Sequence, residues 1–422
     1  MSIELVESRK NIEFDQLEKL KALLRRVSEN SPFYKKKFHD CKIDVEAVGT
    51  LDDLTYLPFT TKDELRDAYP LGIQSVPDED VVRVHSSSGT TGKPVIVPYT
   101  RNDVNTWAEM MMRCYMMAGI TPKDRIQITP GYGLWTAGIG FQAGAERLGA
   151  MAIPMGPGNT SKQLQMMVDM KSTVLTSTSS YALLLAEEVE RQGLRNKIHL
   201  HTGIIGSERW SDKMRHTIES KLGIESFDIY GLTEIYGPGI GLDCRYHDGI
   251  HYWADHLLFE IIDPVTGERL PDGELGELVI TTLTKEGAPL IRYRTRDLTR
   301  LITEPCPCGS PFPRIDRILG RSDDMIKIKG VNIYPGQIEE LLHRIPDISS
   351  EYQIILTRNE GKDNMLLMVE AEDITHKEAL EKTVQKEFKS SIGVHIDVKC
   401  VELCKLPRSE KKTKRVIDQR EL

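Results

Sequence analysis

Apolar residues recur at helical spacing near the start of the chain. Phe14, Leu17, Leu20, Leu23 and Leu24 fall between Lys- and Glu-rich positions, which predicts an N-terminal helical cap over about residues 1–48. The period then changes. Between about Val81 and Ile302, short β-branched runs alternate with longer amphipathic segments. Ile126–Ile128, Met151–Pro154, Ser172–Leu175 and Gly203–Gly206 read as strands, with Tyr181–Gln192 and Ser211–Leu222 as helices between strands. This alternation predicts α/β layering around a largely parallel sheet, because parallel neighbours need a long crossover that is usually helical.

From Phe259 to Ile302 the turn clusters Asp263-Pro264-Val265-Thr266-Gly267 and Pro271-Asp272-Gly273 separate strands such as Glu277–Thr282. They predict a small antiparallel β subdomain at about residues 240–318. A boundary falls near Gly320-Arg321-Ser322-Asp323-Asp324. Beyond it come a helix opened by Pro335-Gly336, strands at Tyr352–Leu356 and Met365–Glu370, a helix at Lys377–Phe388 and a strand at Ile396–Val401. The expected fold is an α/β N-terminal domain of layered sheets and helices, residues 1–320, followed by a small α+β domain, residues 321–422.

A chain of 422 residues is too long for one core. Net charge is −8, and no dense basic block occurs before Lys411, Lys412, Lys414 and Arg415. Nucleic acid and anionic membrane are therefore not expected as partners of the body of the chain. The acidic start, Met1 to Glu7, lacks the basic and then apolar pattern of a signal peptide, and no apolar run reaches bilayer length. A cytoplasmic location is expected. Seven cysteines, an odd number in a long chain, argue against a disulfide framework.

The densest chemistry lies in Ser86-Ser87-Ser88-Gly89-Thr90-Thr91-Gly92-Lys93-Pro94. Hydroxyls and backbone N–H groups of such a loop can surround a polyphosphate, with the lysine as a point charge. It is not a Walker A loop, since Lys93 precedes Pro94 rather than Ser or Thr. Taken alone it could equally be a surface linker. Four further segments follow: Asp228-Ile229-Tyr230-Gly231-Leu232-Thr233-Glu234, Tyr293 to Leu298, Gly320 to Gly330, and Leu406-Pro407-Arg408-Ser409-Glu410-Lys411-Lys412.

The order and spacing of these five segments resemble the adenylate-forming enzymes, and most closely the phenylacetate–CoA ligase family within them. The closer resemblance rests on the compact length, on Gly131-Tyr132-Gly133-Leu134 ahead of Gly144 to Ala150, on Leu406 to Glu410, and on Tyr334-Pro335 after Gly330. It implies ATP-dependent ligation of an aryl acid to coenzyme A through an acyl adenylate, with release of AMP and pyrophosphate. By this resemblance Ser86 to Lys93 hold the β- and γ-phosphates, Thr233 contacts the α-phosphate, and Glu234 ligates Mg²⁺. A Thr and Glu close together could instead cap a helix. Asp297 would accept the ribose hydroxyls; its alternative is an ion pair with Arg294 or Arg296. Adenine would lie between Gly206-Ser207-Glu208 and Tyr230, and Asp228 and Gly231 would also belong to the ATP/AMP-binding residues. Arg321 would reach ribose or phosphate, Asp323 would be the hinge of a mobile small domain, and Lys327 to Gly330 would approach the thiol tunnel. Lys412 matches the family's catalytic lysine, although Lys411 stands where a glycine is usual and the segment could be a solvated basic tail.

Tyr132, Gly133, Leu134, Trp135, Ala137 and Gly138 form the segment expected beside the acyl group, where small residues next to aromatics suit a flat ring. Cys306-Pro307-Cys308-Gly309, with Cys244 and His251 upstream, could complete a structural Zn²⁺ site; His247 is the rival histidine, and free thiols are the alternative. The resemblance also implies a dimer. Two other readings stay open: adenylation without transfer to CoA, as in the deazaflavin-coenzyme synthetases, and a nucleotide-binding scaffold without turnover.

Overall fold

Helices of the large domain begin where strands end, because the last strand residue often carries the capping hydroxyl. Thr178 closes the Val174–Thr178 strand and accepts from the Tyr181 N–H, opening the helix Ser179–Arg191. Thr100 closes Ile96–Thr100 and forms a reciprocal box with Asp103 at the start of Arg101–Met117. Each such cap satisfies orphan N–H groups of a first turn. The structure, a computed structural model, describes residues 9–87, 93–328, 331–359, 362–408 and 415–420. Among them, no helix is long and apolar enough to cross a membrane.

The main sheet has nine strands among the described residues. Met151–Pro154, Arg125–Ile128, Val174–Thr178, Thr202–Gly206 and Glu225–Leu232 run parallel in that spatial order. The expectation of a largely parallel sheet then fails. Gly237–Asp243, Ile250–Tyr252, Arg314–Ile315 and Leu301–Ile302 continue the same sheet antiparallel. The cause is local: only the turn Thr233–Tyr236 separates two strands, too short for a parallel crossover. A second, antiparallel sheet joins Leu257–Ile262, Gly276–Thr282, Tyr293–Thr299 and Gly320–Arg321. Residues around 250, 301 and 314, read from sequence as part of the small β subdomain, thus belong to the main sheet.

At the N-terminus the helix Arg9–Asn30 buries Ile12, Gln16, Leu20, Leu23, Leu24 and Val27, whereas Phe14 is 68% exposed. The buried face therefore lies off the line drawn through Phe14, and Gln16 is held on it by donating to the carbonyls of Ala254 and Leu257. The C-terminal unit pairs Asp397–Glu402, Lys362–Ala371, Ile348–Asn359 and Val416–Asp418 in one sheet. The helices Pro335–His343 and Lys377–Ile392 contribute Ile338, Val384 and Phe388 to its separate core.

Tight packing fixes the helix Ala137–Leu148 against Arg101–Met117. A Cβ on Gly140 would lie 2.3 Å from the Trp107 ring, and one on Gly144 would lie 2.4 Å from Met111 Cβ. The indole cannot step aside, because its Nε1 donates to the Pro238 carbonyl at 2.8 Å. We expect Gly140→Ala to cost about 1–3 kcal/mol through overpacking, read as a lowered denaturation midpoint. An unchanged midpoint would contradict this packing.

Candidate active site

The site assembles at the carboxyl ends of the parallel strands, where open α/β sheets place their ligand crevices. At the end of Thr202–Gly206, a Cβ on Gly206 would come within 2.4 Å of the Ile229 carbonyl, so the neighbouring strand requires glycine there. Ser207 follows with a left-handed φ of 68°, and Glu208 accepts from Ser180 Oγ at 2.5 Å. One strand over, Asp228 takes its N–H to Asp243 Oδ1 at 2.7 Å. Burial, reinforced by the Asp243 charge, pushes the Asp228 carboxyl up to about 7. Gly231 has no room for a side chain, since a Cβ would sit 2.0 Å from the Gly237 carbonyl.

Thr233 and Glu234 occupy the reversing turn, with no helix following, which removes the helix-cap alternative. Thr233 Oγ1 is 3.4 Å from Thr136 Oγ1. Glu234 is 5% exposed, and its Oε1 lies 2.9 Å from Lys62 Nζ in an ion pair not aligned as a hydrogen bond. Beneath the turn, buried Lys285 donates to the carbonyls of Glu234 and Ile235. Its Nζ lies 4.5 Å and 4.8 Å from the ring centroids of Tyr99 and Tyr236.

Tyr230 Oη donates to Asp297 Oδ2 at 2.6 Å, and Arg321 Nη1 donates to Oδ1 at 3.1 Å. Asp297 therefore pairs with Arg321 rather than with Arg294 or Arg296. Those two face Glu277, with Arg294 bidentate at 2.7 and 3.0 Å and Arg296 at 3.6 Å. Arg321 also grips Asp323 through two bonds, at 2.8 and 2.9 Å.

Ser86 lies at the end of the strand Val81–Ser86, and its N–H donates to the Leu134 carbonyl at 2.8 Å. Ser87 Oγ accepts from the Val95 N–H. Lys93 Nζ lies over the Tyr69 ring, 5.7 Å from its centroid. Ser88, Gly89, Thr90, Thr91 and Gly92 lie outside the described residues, as do Lys329, Gly330, Lys411, Lys412 and Lys414. Of the segment expected beside the acyl group, Tyr132 packs its ring on Gly138, where a Cβ would approach it to 2.6 Å. Gly133 takes a φ of 91°, Ala137 opens the helix, and Leu134 and Trp135 are 56% and 48% exposed. The last two stand open to solvent, in contrast to an enclosed slot.

The sulfur and nitrogen ligand atoms of Cys244, His251, Cys306 and Cys308 lie within 4.8 Å of one another. Cys244 Sγ is 3.5 Å from Cys306 Sγ, and Cys308 Sγ is 3.3 Å from His251 Nε2. His251 Nδ1–H donates to the Phe312 carbonyl at 2.8 Å, which turns Nε2 toward the Cys308 thiol. His247 is elsewhere: its Nδ1 contacts Asp243 and Arg215, each at 2.9 Å.

Sequence reasoning missed Lys62, Lys285 and Asp103. Thr61-x-x-Glu64 is a capping-box pattern that marks the helix carrying Lys62, but nothing local aims that lysine at Glu234. Asp103 accepts from the N–H groups of Glu286 and Gly287, both at 2.8 Å, and so fixes the loop that carries Lys285.

Burial pulls Lys285 down from 10.5 to about 7. Between those values the unfolded chain binds more protons than the folded one, so stability rises with pH over that interval. The gain from pH 7 to 9, measured by denaturation, should exceed that of Lys285→Met by up to about 1.4 kcal/mol per pH unit. Parallel profiles for the two proteins would remove this account of Lys285.

The sequence profile of the family described as "AMP-binding enzyme" matches residues 18–284, and that of the "AMP-binding enzyme C-terminal domain" matches residues 330–420. Phenylacetate-coenzyme A ligase of Pseudomonas putida is 46% identical over 413 residues, covering 96% of this chain and 93% of that protein. The Escherichia coli (strain K12) phenylacetate-coenzyme A ligase is 44% identical over 96% of this chain and 94% of its own length. Among solved structures, 2-hydroxyisobutyryl-CoA ligase in the postadenylation state with 2-HIB-AMP matches with a TM-score of 0.91 at 28% identity, over 99% of this chain and 91% of that one. The same ligase with 2-HIB-AMP and CoA in the thioesterification state covers the same shares at a TM-score of 0.73. With two matching profiles and relatives of this similarity along nearly its whole length, the chain belongs to the phenylacetate–coenzyme A ligase family of AMP-binding enzymes.

Proposed function

We propose that this chain joins an aryl acid, phenylacetate or a close analogue, to coenzyme A at the expense of ATP. The observation that carries this reading is the convergence of Thr233, Glu234, Tyr230, Asp297 and Arg321 at one end of the sheet in a chain similar throughout to phenylacetate–coenzyme A ligases. A carboxylate is a poor acyl donor because its leaving group would be oxide. Attack of a carboxylate oxygen on the α-phosphorus expels pyrophosphate and makes a mixed anhydride. The CoA thiolate then attacks the carbonyl carbon and AMP leaves.

Ser86 to Lys93 hold the β- and γ-phosphates in this scheme, and Thr233 meets the α-phosphate. Asp297, a carboxylate held beside Tyr230 and Arg321, takes the ribose hydroxyls, whose paired protons suit an acceptor-only group. Tyr230 and the Gly206-Ser207-Glu208 turn border adenine, with Asp228 among the nucleotide-binding residues. Glu234 fits Mg²⁺: it is a hard, buried oxygen donor whose Oε1 is not committed to a hydrogen bond. When bound, the ion would neutralise charge on the triphosphate oxygens. Tyr132, with the small Ala137 and Gly138, supports a flat acyl group, and residues 321–422 act as a mobile domain turning about Asp323. A cytoplasmic, dimeric enzyme completes the reading.

Cys244, His251, Cys306 and Cys308 fit a structural zinc. Two thiolates on a tetrahedral Zn²⁺ stand about 3.8 Å apart, close to the 3.5 Å between Cys244 and Cys306. Four protein ligands leave no open position for catalysis. Protein purified without added metal should hold about one zinc per chain, and Cys308→Ser should lose it with a lowered melting temperature. Metal-free protein of undiminished stability would refute the site.

The function is tested by ATP–pyrophosphate exchange over a panel of aryl and aliphatic acids, followed by CoA addition and mass detection of thioester. Exchange with phenylacetate and a CoA product are expected. Exchange without thioester would favour adenylation alone, and no exchange would favour a silent scaffold. Lys412→Ala should reduce exchange about 10²–10³-fold, the scale of losing one charge-stabilising group, while sparing thioester formation from supplied acyl adenylate. Equal loss of both half-reactions would contradict that role for Lys412.

A further inference from the structure

Arg408 joins the two domains with a single side chain. Its Nη2 and Nε reach Glu187 of the large domain at 3.0 and 3.3 Å. Its Nη1 and Nη2 reach Glu370 of the small domain, both at 2.9 Å. The guanidinium fork thus bridges two carboxylates from different domains, the geometry in which arginine binds most strongly. Within the small domain its position is over-determined: Glu370 also accepts from the Leu406 N–H at 2.8 Å, and Glu351 lies 3.7 Å from Arg408. Glu187, on the Ser179–Arg191 helix, is the part of the contact that a domain rotation would break.

The neighbouring cross-domain contacts are also ionic. Arg209, next to the Gly206-Ser207-Glu208 turn, lies 3.2 Å from Glu339 and 3.7 Å from Glu340. Lys213 donates to the Ile348 carbonyl and lies 4.0 Å from Glu372. The chain overlays the postadenylation form of its structural neighbour at a TM-score of 0.91, against 0.73 for the thioesterification form.

We propose that Glu187 is a positioning residue for the adenylation half-reaction. It captures Arg408 and so holds the small domain in the arrangement that performs adenylation, and it releases Arg408 when the domain turns for thioester formation. This inference rests on the ligase reading. Side chains of Glu187 and Arg408 are 20% and 12% exposed. Water re-enters easily at that depth, so the pair can part and re-form without stranding a buried charge. Glu370, fully buried, could not be released in that way.

The test uses Glu187→Gln and Glu187→Asp, since removing Arg408 would strand Glu370 and risk unfolding. In Glu187→Gln, pyrophosphate exchange should fall about tenfold in kcat/KM, the equivalent of one charged hydrogen bond. Thioester formation from supplied acyl adenylate and CoA should be undiminished, and Glu187→Asp should recover part of the loss. Equal loss in both half-reactions would make Glu187 merely structural and overturn the proposal. Limited proteolysis of the free protein at residues 321–324 reads the contact without any chemistry. Faster cleavage in Glu187→Gln at an unchanged melting temperature supports the latch, and unchanged cleavage overturns it. Wild-type protein without exchange activity would count against the ligase reading, while the proteolysis result would still decide the latch.

Discussion

Lys285 sends its ammonium under the turn between Leu232 and Gly237, donates to the carbonyls of Glu234 and Ile235, and rests against the faces of two tyrosines. That turn reverses the sheet from parallel to antiparallel. On one side of it five parallel strands and their crossover helices build the crevice; on the other, antiparallel strands bring Cys244, His251, Cys306 and Cys308 together. A buried cation is costly unless paired. Here aromatic faces, carbonyl dipoles and the nearby charges of Asp103 and Glu234 offset part of the cost, and burial still holds the amine well below its ordinary pKa. Asp103 in turn is fixed by the cap it forms with Thr100, so a local helix start is coupled to the geometry of the site.

The polar contacts around the crevice form pairs rather than isolated charges. Asp297 is shared by Tyr230 and Arg321, and Arg321 reaches on to Asp323 at the domain junction. The residues proposed to hold the ribose and to form the hinge are therefore joined by one guanidinium. The fork that joins them is planar and tolerates little misalignment.

Much of this could be read from the chain. The alternation of β-branched runs and amphipathic segments locates the strands Arg125–Ile128, Met151–Pro154 and Thr202–Gly206, and the CxC turn with its upstream Cys and His identifies a group that folding brings together. Three features were hidden, for physical reasons. The antiparallel half of the sheet follows from the shortness of one turn, which periodicity does not register. The helix Ala137–Leu148 is rich in glycine, which weakens any local helical signal, yet Gly140 and Gly144 are there because Trp107 and Met111 leave no space for a methyl group. Lys62 and Lys285 act on Glu234 from 172 positions before and 51 after it, and no local pattern encodes such a meeting.

The segment from Tyr132 to Gly138 divides its labour between backbone and side chains. Leu134 is bound to the strand Val81–Ser86 through its main-chain carbonyl, which accepts from the Ser86 N–H, while its side chain extends into solvent. A residue of different size or polarity at that position leaves the hydrogen bond in place. Over evolutionary time the face that this loop turns to solvent can drift through single substitutions, while the strand Val81–Ser86 keeps its position. Variation of an exposed face and retention of the backbone that anchors it are thus separable along one short loop.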